Sequence, residues 1–343
     1  MAQKKIALDA MGGDHGPVVT VAAAKLALDE IAGIELVLVG DRDQLEAEVH
    51  KHNLQQNALI SIHHASEVVD MDDLPVVALK KKKDSSMRVA INLVKEGKVQ
   101  ACVSAGNTGA LMATSKFVLK TIRGISRPAI CTVLPGINGR THMLDLGANP
   151  DCTPENLAEF ALMGSILVQS VDGIRNPRVG LLNIGSEEMK GNETIKRAAQ
   201  LIAESRLNYY GFVEGDDIYK GTVDVIVTDG FVGNVSLKTG EGLAALVNHV
   251  LQTEFRRNWL TRLSAICAMP VLSSVKRRLD PRRYNGASLL GLNGIVIKSH
   301  GSADMSSFLN AIKIAEIEVE NNVPQRISTE IDNYFSQVEE AVT

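Results

Sequence analysis

Aromatic residues are scarce in this chain: seven Phe, five Tyr and one Trp among 343 residues, so the core must rest on Val, Ile, Leu and Ala. Cysteine is scarcer. Cys102, Cys131, Cys152 and Cys267 are scattered without metal-ligand spacing, and read as reduced thiols rather than a zinc site or a disulfide frame. No long apolar run is present; the longest uncharged stretch, Leu263–Val275, is too short to cross a bilayer and contains Pro270. The N-terminus enters a strand-like segment directly, which argues against a leader peptide. No Walker loop and no G-x-G-x-x-G fingerprint supports a nucleotide, and no G-x-S-x-G elbow supports a serine hydrolase. A net charge of −4 argues against a dedicated nucleic-acid binder, although the charge is unevenly spread. These absences predict a cytoplasmic protein with no metal and no cofactor.

What is there is a steady β–α rhythm. Strand-like runs at Ile6–Ala10, Glu35–Gly40, Leu59–His63, Val99–Val103, Ala129–Leu134, His142–Leu146, Arg178–Ile184, Tyr209–Val213, Asp224–Thr228 and Gly294–Ser299 alternate with helical patterns. The helices are expected at Val18–Ile31, Asp41–His52, Met87–Glu96, Ala110–Thr121, Pro154–Val171, Glu193–Ser205, Val232–Leu251, Ala303–Asn321 and Ser328–Val342. This predicts an α/β protein, a mixed, mostly parallel sheet covered by helices on both faces. No linker or repeat divides the chain, so residues 1–343 read as one domain. Only 255–283 breaks the rhythm. There Phe255, Trp259, Leu263 and Ile266 fall at helical spacing among many arginines, predicting a basic amphipathic helical insertion, a hairpin broken near Pro270.

Polar and glycine-rich loops follow five of the strands. Met11–Pro17 carries Asp14 and His15, and Ser104–Ala110 offers Ser104, Asn107 and Thr108. The segment starting at Asn183 holds Lys190, Asp224–Asn234 holds Asp229 and Asn234, and Lys298–Asp304 holds His300. Ser85, after the Lys80–Lys83 run, is expected to cap a helix. Each loop alone has a plain structural explanation, as a turn or a cap. Together, at the carboxyl ends of parallel strands, they predict one anion-binding cleft. The lysine run reads as solvated surface or as the border of that cleft. The arginine-rich segment suits an anionic membrane, an acidic partner, or an interface between subunits.

The motifs ALDAMGGDHGP at Ala7–Pro17, SAGNTGA at Ser104–Ala110, LDLGAN at Leu144–Asn149, NIGSEE at Asn183–Glu188, TDGFVGN at Thr228–Asn234 and SHGSAD at Ser299–Asp304 resemble the bacterial phosphate acyltransferase family, in the family's order. The resemblance implies transfer of a long-chain acyl group from acyl carrier protein to inorganic phosphate. It implies a three-layer α/β/α sandwich similar to phosphotransacetylases and isocitrate/isopropylmalate dehydrogenases. It further implies a homodimer attached peripherally to the inner face of the cell membrane, coupled to a membrane glycerol 3-phosphate acyltransferase. On this reading His15, Lys190, Asp229 and Asn234 are catalytic, while Asp14, Ser85, Ser104, Asn107, Thr108 and His300 bind substrate. Two other readings stand beside it: a metal- and NAD-dependent decarboxylating dehydrogenase of similar fold, and a lipid-binding scaffold.

Overall fold

The computed structural model describes residues 4–278 and 281–331, the side chains of 276–278, 281 and 283 excepted. The first half comprises β1 (Lys4–Asp9), α1 (Pro17–Glu30), β2 (Ile34–Gly40), α2 (Arg42–Lys51), β3 (Ile60–His64), α3 (Pro75–Lys81), α4 (Ser86–Lys95), β4 (Ala101–Ser104) and α5 (Thr108–Leu119). The second contains β5 (Ala129–Gly136), β6 (Gly139–Leu144), α6 (Pro154–Val171), β7 (Arg178–Leu182), α7 (Glu193–Glu204), β8 (Asn208–Val213), α8 (Asp217–Lys220) and β9 (Val225–Val227). Two long helices follow, α9 (Gly230–Arg256) and α10 (Trp259–Arg278). The chain then returns to the first half with β10 (Ala287–Leu290), β11 (Ile295–Lys298) and α11 (Met305–Glu320).

The strands of the described residues join one sheet in the order β3-β2-β1-β4-β11-β10-β5-β6-β9-β7-β8. β1 to β4 and β11 are mutually parallel. β10 is antiparallel to both neighbours, and β5 turns back into β6 as a hairpin. β6, β9, β7 and β8 are again parallel to one another. Three reversals across the middle therefore leave the two parallel sets running in opposite senses. The architecture is the expected mixed, mostly parallel α/β sandwich.

Side-chain alternation explains why both faces are covered. Ile6, Leu8, Leu36, Leu38, Ala101 and Val103 pack under α1, α2 and α11, while Ala7, Val37, Val39 and Cys102 point to α3, α4 and α5. Val179, Leu181, Val225 and Val227 lie under α6 and α7. Each Val, Leu or Ile among them contributes about 1.5–3 kcal/mol by leaving water. Among the buried acids, Glu318 of α11 meets the Ser288 hydroxyl of β10, and burial pushes its carboxyl up to about 7.

The structure corrects the reading of 255–283. Helix α9 is continuous for 27 residues, about 40 Å, and from Glu241 onward nearly all of it is exposed. Helix α10 packs back against it, so the two form an arm that starts well before Phe255. The turn is at Arg257–Asn258, where Asn258 Oδ1 accepts from the Thr261 N–H at 3.0 Å and Thr261 Oγ1 accepts from the Asn258 N–H at 3.1 Å. That reciprocal cap starts a new helix there. Pro270 lies inside α10 without ending it, since on an exposed arm water can satisfy the carbonyl it leaves unpaired. No helix among the described residues is long and apolar enough to cross a membrane. The expected terminal helix is helical over 323–331; its remainder lies outside the described residues.

Candidate active site

Three loops meet at the carboxyl ends of β1, β4 and β11. The Asp14 N–H donates to the Gly301 carbonyl at 2.9 Å, and the Ser299 N–H to the Ser104 carbonyl at 2.8 Å. A Cβ on Gly12 would sit 2.7 Å from Asp9 Oδ2 and 2.8 Å from the Gly106 nitrogen, and Gly13, at φ +84°, is pressed against Ala105 and Gly301. Only glycine permits this approach of backbone to backbone. The loops open helices α1, α5 and α11, so three helix N-termini gather at one edge, an arrangement that favours an anion.

Within this cluster the Ser104 hydroxyl donates to Asp9 Oδ2 at 2.6 Å and accepts from the Gly106 N–H at 3.1 Å. Asp9 is fully buried, and burial raises its pKa, although the Ser104 and Ser86 hydroxyls and the Met11 and Gly12 N–H groups face it. Its Oδ1 has no hydrogen-bond partner. Lys298, the last residue of β11, is 8% exposed. Its ammonium donates to the Ala105 carbonyl at 3.4 Å and to the Ser299 carbonyl. Burial pushes the Lys298 amine down to about 8; Asp9 and Asp14 oppose the fall and Lys238 of α9 adds to it. Asp14, His15 and His300 stand exposed at the rim. His300 Nδ1 accepts from the Ser302 N–H at 3.2 Å, which leaves Nε2 to carry the proton of the neutral ring.

Asn107 has a structural task here. Its Oδ1 caps α5 through the Ala110 N–H at 2.9 Å, while its Nδ2 donates to the Met71 and Asp73 carbonyls. Thr108 is exposed at the first turn of α5. Ser85 turns away and donates to the Lys82 carbonyl at 2.9 Å; its neighbour Ser86 is the one that faces Asp9.

The remaining candidates lie elsewhere. Because the second parallel set is reversed, Lys190, Asp229 and Asn234 follow strand ends on the opposite edge of the sheet, so the five loops do not form one convergent edge within the chain. Asp229 caps α9 through the Val232 N–H at 2.9 Å. Asn234 lies against Gly147, and Lys190 is exposed. The anchor of this region is Asp145, which accepts from Ile130, Ala148 and Asn149 N–H groups at 2.7–3.2 Å and from Asn149 Nδ2 at 2.8 Å. Gly233 packs so closely on the Asp145 carbonyl that a Cβ would lie 1.9 Å from it. Beside Asp229, a hollow of about 350 Å³ is lined in part by Cys152, Leu157, Asn192 and Phe231. Helix α9 links the two edges: it starts at Asp229, and its Lys238 is close enough to act on Lys298.

Asp9 and Lys298 are functional candidates missed in the sequence. Their signal is a charged residue closing an otherwise apolar strand, in IALD and IVIK. Such a charge is buried only where a partner or ligand justifies it.

Residues 4–326 match a family described as fatty acid synthesis protein. A phosphate acyltransferase of Nitrosococcus oceani is 58% identical over 97% of this chain and 98% of its own. The chain belongs to this family. A second phosphate acyltransferase, from Legionella pneumophila, is 55% identical over 97% of both chains. The protein is thus an enzyme of lipid synthesis, an acyltransferase that uses phosphate. Among solved structures, a phosphotransacetylase of Streptococcus pyogenes superposes with a TM-score of 0.64 at 18% identity, covering 93% of this chain and 94% of its own. A 4-hydroxythreonine-4-phosphate dehydrogenase of Klebsiella pneumoniae gives 0.52 at 16% identity, covering 94% and 99%. These two share the fold.

Proposed function

We propose that the enzyme moves a long-chain acyl group from acyl carrier protein to inorganic phosphate, and that the acyl phosphate passes to a membrane glycerol 3-phosphate acyltransferase. The observation that carries this reading is the Lys298 ammonium set among three helix N-termini. Phosphate rests against Lys298, Ser104 and the turn leading to Thr108, with Asp9 holding Ser104. A phosphate oxygen attacks the thioester carbonyl carbon, the C–O bond forms and the C–S bond breaks. The proton given up by phosphate passes through His15 to the thiolate, a good leaving group because thiol pKa values lie near about 8.5. Catalysis is then positioning and charge stabilisation, with no enzyme nucleophile. Asp14 and His300 complete the rim, and Asp229 and Asn234 set the root of α9, whose Lys238 acts on Lys298.

The enzyme acts in the cytoplasm as a homodimer held peripherally at the inner face of the cell membrane. The exposed Leu246, Val250, Leu263 and Ile266 of the arm, flanked by arginines, support this attachment. Replacing Leu263, Ile266 and Leu272 by polar residues is expected to abolish sedimentation with anionic vesicles and to spare turnover; binding that persists would remove the arm from this role. For the reaction itself, purified enzyme given acyl carrier protein thioester and phosphate is expected to yield hydroxamate on trapping with hydroxylamine. Thiol release without phosphate would overturn the reading.

A further inference from the structure

The Lys80–Lys83 run belongs to a larger surface away from the arm. Helices α3 and α4 both pack against α5. Arg88 of α4 donates to the Leu79 carbonyl of α3 at 2.8 Å, which holds the end of α3 beside it. The same guanidinium lies 5.3 Å from the centre of the Phe117 ring on α5, and the Lys120 ammonium lies 4.8 Å from it. Phe117 is nonetheless 51% exposed. Lys80, Lys81 and Lys83, which follow Leu79, and Lys116, next to Phe117 in the chain, are exposed, and between Leu79 and Arg88 the sole acid is Asp84. Lys82 alone of the run is neutralised, by Asp70 at 2.7 Å and Asp73 at 2.5 Å. An aromatic ring flanked by cations on packed helices has the composition of a protein-binding hot spot, and its sign selects an acidic partner.

This surface is tied to the candidate active site. Asn107 caps α5 and grips the Met71 and Asp73 carbonyls just before α3, and Gly109 is in close contact with Pro75, the first residue of α3. Along α5, Phe117 is nine residues from Thr108, about 13 Å. A flexible arm rooted on a protein seated here reaches the three-loop cluster.

We propose that the α3–α4–α5 face, centred on Phe117, is where the acidic carrier protein docks to deliver its thioester. The inference rests on the acyl-transfer reading above and adds the surface that recognises the donor. The membrane is the occupant the arm suits, since exposed apolar residues run along both of its helices, whereas here Phe117 sits within a cationic frame, with Leu74 and Val76 exposed at the start of α3.

The test is steady-state kinetics of a Lys80→Glu, Lys81→Glu, Lys116→Glu variant, and separately of Phe117→Ser, all at exposed positions. The expected result is a rise of 10-fold or more in KM for the acyl carrier protein, steeper at low salt for the charge reversals, with kcat and KM for phosphate unchanged. An unchanged KM for the carrier overturns the proposal, as does lost vesicle binding with carrier kinetics intact, which would make the face a membrane contact. Failure of the acyl-transfer reading is distinct, because wild-type enzyme would then form no acyl phosphate at all.

Discussion

At the carboxyl end of β1 a buried acid retains unused capacity, whereas at that of β6 a buried acid is committed to holding a loop. Asp145 and Asp9 show the contrast. Both are buried acids at strand ends whose pKa burial raises. Asp145 has two oxygens occupied by three N–H groups and an amide, and what it secures is the path of 145–149 against α9. Asp9 has Oδ2 on Ser104 with Ser86 and the Met11 and Gly12 N–H groups facing the carboxyl, an Oδ1 without a hydrogen-bond partner, and an ammonium nearby whose affinity for its proton is weakened. A fully satisfied network rigidifies, while an unsatisfied one at a helix-lined edge is ready for a ligand.

The comparison breaks most sharply at Lys298. Lys298→Met is expected to lower kcat/KM for phosphate by about 10²- to 10³-fold, the scale of a lost preorganised contact, while the thermal transition stays intact. In wild type kcat/KM for phosphate falls as pH rises past about 8, where the amine loses its charge, and the variant lacks that limb. An unaltered pH profile would place the phosphate elsewhere. Asp145→Ala is the counterpart. It strands N–H groups of Ile130, Ala148 and Asn149, costing about 3 kcal/mol of stability, measured by urea unfolding, while the folded fraction keeps its KM for phosphate. A fall in phosphate affinity at full stability would erase the distinction between the regions.

The smallest effect is expected at the seam between the halves. The folded pKa of Glu318, about 7, lies above its ordinary 4.5, so the fold retains a proton that the unfolded chain releases. Stability contributed by this site therefore declines as pH rises from about 4.5 to 7. Glu318→Gln should raise the melting temperature at pH 8 by on the order of a few degrees, with the two proteins converging near pH 4. An equal shift at both pH values would show a packing effect instead.

The β–α rhythm was legible because most strands are buried on both faces and most helices carry plain start signals, such as Pro17 and Thr153. α3 was not read, although Pro75 stands at its first position, because four consecutive lysines look like solvated surface. β10 was missed because it is four residues long and has no helix before it. Strand direction left no trace in the residues, so the sequence showed the polar loops without showing that reversals at β10, β5 and β6 divide them between two edges. Asn107 belongs to the cluster, yet the task it performs there is a cap, which residue type alone cannot separate from ligand binding.

Helix α9 is a single rod with no joint between the glycine contact at Asp145 and the far end of the arm. Pivoted at Gly233, a tilt of roughly five degrees carries Arg256 through about 3 Å. Lys238, much nearer the pivot, moves a small fraction of that. The geometry is that of a reducing lever: any excursion at the outer end is scaled down about fivefold at Lys238.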